Sequence, residues 1–305
     1  MTESRVALGL WPIAGITTVG VTPQAVSETM NAAIDAGITT FDTAFSYGYD
    51  GESDRTLGKY IQSDRGRFHV IGKVGQRWTA DRQRVIDGTP ETLTNDAESS
   101  LQRIGIETFD LLMLHSPDPS VPIERSAAAM RALQQRGLCH RIGVCNVNTE
   151  QLSRFQMEVG CDAIQCPLNL LQRDAQTDLI PACIEHGTQV HVYWTLMKGL
   201  LAGRISRDHI FAEGDSRPNY AVFQGAARDR AHRILDQMTI IAKDHERTIA
   251  QLSIGWALAQ PGINRALVGA HHPAQVREIA LARPLSTELA SEIDRLVEST
   301  QASDH

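Results

Sequence analysis

Short apolar runs rich in β-branched residues recur along the chain, each followed by a helical stripe, and this alternation constrains the fold more than any other feature. "ITTFD", "FHVIGK", "FDLLMLH", "RIGVCN" and "VHVY" show no alternation of polar and apolar residues, which suits strands covered on both faces. Between the runs the period changes to that of a helix. Thr22 stands as a cap and Pro23 at a first helical position, with Val26, Met30, Ala33 and Ile34 on one face and a stop at Gly37. Leu93, Ala97, Leu101 and Ile104 form the next stripe, and Ile123, Ala127, Met130 and Leu133 another that closes at Gly137. Further helices are expected over 149–158 and 174–186.

With "VALGL" near the start and "RALVG" late in the chain, the expected strands are 6–10, 38–42, 68–73, 109–114, 141–145, 163–166, 190–193 and 265–269. Eight strands alternating with helices predict a parallel (β/α)8 TIM barrel, an α/β fold, with residues 1–305 as its single domain. A doubly wound open sheet normally carries a GxGxxG turn after its first strand, and "WPIAGITTVG" does not have that spacing. The polar segment 204–228 is expected to be irregular, at the place of a lid or binding loop.

The 29 Lys and Arg residues are scattered in a chain of net charge −7, so no basic face for nucleic acid is expected. No apolar run approaches the roughly 20 residues that span a bilayer, and no secretory leader is evident, so the expected location is the cytoplasm. Cys139, Cys145, Cys161, Cys166 and Cys183 form no CxxC or CxxH pair and are expected to be reduced, and no metal site is expected.

In a (β/α)8 barrel the site lies at the C-terminal ends of the strands. There the sequence carries Asp42, Lys73, His115, Asn146, Gln165 and Tyr193. Taken singly, each has a structural explanation, such as a cap or a lysine reaching for water. Together they suggest an acid that holds a lysine, and a lysine whose charge lowers the pKa of a nearby tyrosine, Tyr47, from about 10. A tyrosine tuned in that way is a general acid. No activated Ser or Cys nucleophile is evident, so a hydride from a bound cofactor is the expected second reactant.

The segment "FDTAFSYGYDGESDRTLG" resembles the signature of the aldo-keto reductase family, with Asp54 where a glutamate is commoner. "VIGKVG", "FDLLMLHSPDP", "RIGVCNVNTEQL", "IQCPLNLLQRD" and "YWTLMKGLLAGR" resemble that family's successive strand-end motifs, in order. The resemblance implies a catalytic tetrad of Asp42, Tyr47, Lys73 and His115, in which Tyr47 protonates a carbonyl oxygen while a nicotinamide delivers hydride. It implies that Cys145, Asn146 and Gln165 meet the carboxamide, with Cys145 standing where serine is usual, and that Tyr193 stacks on the ring. It assigns Thr195, Leu196, Lys198, Gly199 and Arg204 to the pyrophosphate loop. "VGAHHPAQVREI", with Gly269, His271, Gln275 and Glu278, is similar to the adenosine-binding stretch of one branch that includes potassium-channel beta subunits. The implied cofactor is NADPH, with NADH as the alternative, and Arg204, Arg217 and Arg277 are the candidate cations for a 2′-phosphate.

Trp11, Tyr49, Trp78 and Phe223 are candidates to line an apolar substrate pocket. The expected reaction is reduction of a small aldehyde, ketone or sugar carbonyl to an alcohol. Two rivals are a cofactor-sensing regulatory subunit with little turnover and a metal-dependent hydrolase, and the latter lacks paired strand-end histidines.

Overall fold

The structure, a computed structural model, describes residues 4–302. Its strands are β1 Val6–Gly9, β2 Thr40–Asp42, β3 His69–Val74, β4 Gln76–Trp78, β5 Arg84–Ile86, β6 Phe109–Leu114, β7 Cys139–Cys145, β8 Ala163–Pro167, β9 Gln189–Tyr193 and β10 Ile263–Gly269. All but β4 and β5 pair in parallel in the cyclic order β1-β10-β9-β8-β7-β6-β3-β2, and β1 closes the barrel on β2. The helices α1 Pro23–Asp35, α2 Glu52–Ile61, α3 Pro90–Ile104, α4 Ile123–Gln135, α5 Thr149–Val159 and α6 Leu179–His186 follow strands as the alternation predicts. The chain continues through α7 Gly225–Asp244, α8 Ile249–Ala259, α9 Pro273–Ala280 and α10 Thr287–Ala302.

Local chemistry sets the helix boundaries. Thr22 accepts from Ala25 N and Thr89 from Thr92 N, each just before a proline in the first turn. Asn148 and Thr248 form capping boxes with Gln151 and Gln251. The helix expected over 174–186 is instead a short 3-10 turn at Asp174–Gln176 followed by α6. Pro181 accounts for the break, because its ring would meet the Thr177 carbonyl if one α-helix ran through both, and Asp178 restarts the helix by accepting from Leu179 N.

Two layers of apolar side chains follow from the period of two along each strand. Outward-facing residues such as Leu8, Phe41, Val70, Leu112, Val144, Ile164 and Val192 pack under the helices. Inward-facing Ala7, Ile71, Leu111, Met113, Cys145, Ala163 and Leu267 fill the barrel, with Tyr193 against them. The segment 204–228 is irregular as expected up to 3-10 turns at Arg217–Asn219 and Ala221–Phe223, but α7 begins within it at Gly225. An antiparallel hairpin, β4–β5, rises from the end of β3 beside the barrel mouth.

Candidate active site

The inward-facing period of two carries each strand from apolar filling to a polar end at the mouth. Asp42 follows Thr40 on β2, Lys73 follows Ile71 on β3, and His115 comes two residues after Met113 of β6. Cys145, Gln165 and Tyr193 hold the equivalent places on β7, β8 and β9. Six residues separated by up to about 150 positions therefore meet at one mouth.

At the centre, the buried Lys73 ammonium donates to Asp42 Oδ1, to the Thr43 carbonyl at 3.1 Å and to the Tyr47 hydroxyl at 3.2 Å. The other Asp42 oxygen accepts from Gln165 Nε2 at 2.7 Å, so both carboxylate oxygens are engaged. Burial works against the Lys73 charge, but Asp42, with Tyr47 and Cys145 adding to it, offsets that effect and holds the ammonium above its ordinary pKa. Tyr47 stands in a turn closed by Tyr47 N donating to the Ala44 carbonyl at 2.9 Å. The chain leaves this turn through Gly48 at φ 111°, where a Cβ would lie 2.8 Å from Glu52 N.

The expected lowering of the Tyr47 pKa is corrected here: the phenol is raised above 10. Burial is the largest influence and pushes it up, while Lys73 pulls it down without overcoming that effect, and Asp42 adds to the rise. Tyr47 is therefore a phenol at neutral pH, with a cation in place to receive the phenolate. His115 lies edge-on to Tyr47 with ring centroids 5.8 Å apart, and its buried Nδ1 has no hydrogen-bond partner among the described residues. Burial, then Lys73 and Arg84, hold it well below 6.5, so the imidazole is neutral.

A second network extends from this centre across the mouth. Cys145 Sγ donates to Gln165 Oε1 at 3.6 Å, which leaves Gln165 one N–H and one lone pair. Burial raises the Cys145 thiol above its ordinary pKa. Asn146 Nδ2 donates to the His115 carbonyl at 2.8 Å and to Ser116 Oγ at 3.2 Å, and Asn146 Oδ1 accepts from the Tyr193 hydroxyl at 2.6 Å. Asn146, at φ 60°, has a left-handed backbone just past β7, as Trp194, Met197 and Lys198 do after β9. In the loop after β9, Thr195 Oγ1 is buried without a hydrogen-bond partner among the described residues, and the Lys198 ammonium sits 4.2 Å from the Tyr220 ring centroid and 5.0 Å from that of Trp194. Leu196 and Gly199 close the same loop, with Gly199 N donating to the Leu196 carbonyl at 2.8 Å.

Beyond β10, His271 N donates to Gln275 Oε1 at 3.0 Å, and His272 caps α9 by accepting from Ala274 N. Arg204 reaches Glu278 at 2.6 Å, which joins the loop after β9 to α9; Arg217 pairs with Asp215. Gly269 packs against Pro12, and a Cβ there would lie 2.6 Å from Pro12 Cγ. Next to this contact, Trp11 lies edge-on to Tyr47 at 5.3 Å, and further round the mouth Tyr49 lies edge-on to Trp78 at 5.0 Å. Trp78 Nε1 donates to the Ser46 carbonyl at 2.9 Å. Phe223 is buried against Phe211 and stands apart from this aromatic wall.

Three features gain a role that sequence reasoning did not give them. Ser116, directly after His115, receives Gln76 Nε2 at 2.7 Å and donates to the His115 carbonyl, and reading one residue beyond the strand finds it. Asp54, on the first turn of α2, is fully buried and accepts from Thr43 Oγ1 and Ser100 Oγ, both at 2.7 Å. Burial is its largest influence and pushes it up to about 6, with the two hydroxyls and Arg103 working against the rise. Arg84 on the hairpin lies over Trp11 and Trp78, and nothing in its sequence neighbourhood announces that position.

Comparison with known proteins agrees with this architecture. A family model described as the Aldo/keto reductase family matches residues 5–298. The chain is 31% identical to aldo-keto reductase YhdN of Bacillus subtilis over 97% of its own length and 91% of that protein. It is also 31% identical to the NADH-specific methylglyoxal reductase of Escherichia coli, over 91% of this chain and 89% of that one. The solved structure of the glycerol dehydrogenase AKR11B4 from Gluconobacter oxydans is similar with a TM-score of 0.89 at 31% identity, covering 98% of this chain and 93% of that one. The polar strand ends gathered around Lys73 thus stand in a barrel whose whole length matches one family: the chain belongs to the aldo/keto reductases.

Proposed function

We propose that this protein reduces small aldehydes or ketones to alcohols with a nicotinamide coenzyme, NADPH with NADH as the alternative, and that Tyr47 is the general acid. The observation that carries the reading is the Lys73 ammonium, held by Asp42 and donating to the Tyr47 hydroxyl at 3.2 Å. The coenzyme, when bound, supplies the hydride for the carbonyl carbon. Tyr47 gives its proton to the carbonyl oxygen, and Lys73 stabilises the phenolate that remains. This stabilisation grows only as charge develops, so it favours the transition state over the ground state. Neutral His115 orients the oxygen without competing for the proton.

The residues fit such a coenzyme. Gln165 retains one N–H and one lone pair, and Asn146 Oδ1 retains a lone pair, which together match the donors and acceptor of a carboxamide. The buried Thr195 hydroxyl has no hydrogen-bond partner among the described residues, as suits a loop that takes a phosphate. In this reading Tyr193 backs the nicotinamide, Leu196, Lys198 and Gly199 surround the pyrophosphate, and Arg204, Gly269, His271, Gln275 and Glu278 meet the adenosine. NADH is kept as the alternative because Arg204 and Arg217 are each engaged by a carboxylate, and because one relative is named as NADH-specific. The names of two similar proteins, a methylglyoxal reductase and a glycerol dehydrogenase, point to small polar substrates.

The test compares the parent with Tyr47→Phe in coenzyme fluorescence titrations and in turnover of a panel of small carbonyls. Coenzyme affinity is expected to stay nearly constant while kcat falls by about 10²- to 10⁴-fold. Unchanged turnover in the variant would refute Tyr47 as the acid, and coenzyme binding without turnover in the parent would favour a regulatory subunit.

A further inference from the structure

The hairpin β4–β5 forms one side of the barrel mouth, and two arginines stand against its aromatic wall. The Arg84 guanidinium lies 4.9 Å from the Trp11 ring centroid and 5.4 Å from that of Trp78, and Trp11 in turn touches the Tyr47 ring. Arg82, at the hairpin turn with φ 61°, lies 4.6 Å from the Tyr49 ring centroid. A guanidinium drawn to a ring by its charge keeps N–H donors for another acceptor. Among the described residues neither arginine forms an ion pair, in contrast to Arg77 beside them, which binds the buried Asp96.

The hairpin's own carboxylates are occupied elsewhere. Asp81 accepts from Thr79, and Asp87 accepts from Thr89 and Thr92. Arg84 is also close enough to His115 for its charge to act on the imidazole, so the same field reaches the carbonyl-binding corner. On a chain of net charge −7, two cations with no ion pair among the described residues, beside a mouth whose Lys73 is balanced by Asp42, are a local excess of positive charge.

We propose that Arg84, with Arg82 outside it, makes this mouth selective for carbonyl substrates that carry an anionic group, a carboxylate or a phosphate ester. The carbonyl is held by Tyr47 and His115 and the anion by the guanidinium edge of Arg84, with Trp11 between them. This inference rests on the reductase reading. Arg84 acts on specificity and takes no part in the proton transfer.

The experiment measures kcat and KM at low ionic strength for two matched pairs: succinic semialdehyde against its neutral amide, and glyceraldehyde 3-phosphate against glyceraldehyde. The parent is expected to prefer the anionic member of at least one pair, and the preferred pair tells carboxylate from phosphate. In Arg84→Gln the anionic-over-neutral ratio of kcat/KM is expected to fall roughly tenfold to a hundredfold, mostly through KM. Arg84→Lys should retain part of the ratio, since it keeps the charge without the planar fork, and a folded Lys variant also guards against misreading a misfolded Gln variant. Absence of anionic preference in the parent, or its survival in Arg84→Gln, overturns the proposal while leaving the reductase reading intact. If no member of either pair is turned over by the parent, the reductase reading falls and this proposal falls with it.

Discussion

Replacing Asp54 by asparagine isolates one buried charge and makes its effect on stability measurable. In the fold this carboxyl titrates at about 6, against 3.8 for an ordinary aspartate. At 1.36 kcal/mol per pH unit the difference amounts to roughly 3 kcal/mol. The folded pKa is the higher one, so the contribution is full below about 3.8 and is lost as pH rises through about 6. The asparagine of Asp54→Asn has the same shape and no charge to lose. Its oxygen can accept from Thr43 Oγ1, and its amide can donate to Ser100 Oγ once that hydroxyl turns. Paired urea titrations of parent and Asp54→Asn at pH 4, 6 and 8 cancel every other titrating group to first order. The variant's advantage in unfolding free energy is expected to grow by about 2.4 kcal/mol from the lowest pH to the highest, because the unfolded carboxyl is already more than half ionised at pH 4. A difference that stays flat with pH would refute the reasoning, and would mean that Arg103 and the two hydroxyls already compensate the carboxylate.

Lys73→Met should abolish carbonyl reduction while sparing coenzyme binding, and should destabilise the fold by about 3–5 kcal/mol, because Asp42 is left buried without its cation. Adding Asp42→Asn to that variant should recover stability without activity, as thermal melts and turnover would show. Gly58→Ala should lower stability by about 1–3 kcal/mol, since the new Cβ would lie 2.3 Å from the Ile104 carbonyl oxygen, where α2 meets α3; an unchanged urea midpoint would contradict that packing. Burial pushes Cys139, Cys161, Cys166 and Cys183 up to about 12, and raises Cys145 as well. Native protein at about pH 7.5 is therefore expected to resist iodoacetamide while all five thiols react in urea, and mass spectrometry that found native labelling would count against it.

The barrel strands were legible because a strand buried on both faces leaves a dense β-branched run, and the mouth was legible because each such run stops on a polar residue. Asp42 and Lys73 could be paired from sequence by that rule alone. The hairpin was not legible: "QRWTADRQRV" is charged and lacks a period, and its place depends on Arg84, which lies over Trp78, finding Trp11 from another strand end. Helix α8 also escaped, since Leu252, Ile254, Trp256 and Leu258 are buried around its whole girth and leave no polar face to reveal a helical period. The direction of the Tyr47 shift was misjudged for a related reason. Sequence shows which charge is near, but not how much water is removed, and here burial is the larger influence.

The seam of the barrel has a consequence in time as well as in space. Val6 pairs with Ala266 and Gly9 with Gly269, so one edge of the first strand, the one that β2 does not take, waits for a partner about 260 residues further along. At ribosomal rates of about 5–20 residues per second, that wait lasts roughly 10–50 s. During it the β1 edge is open to any strand that passes. The nascent chain thus carries an unfinished sheet for most of its synthesis, and a chaperone that shields this edge would raise the yield of folded protein more than one that acts after release.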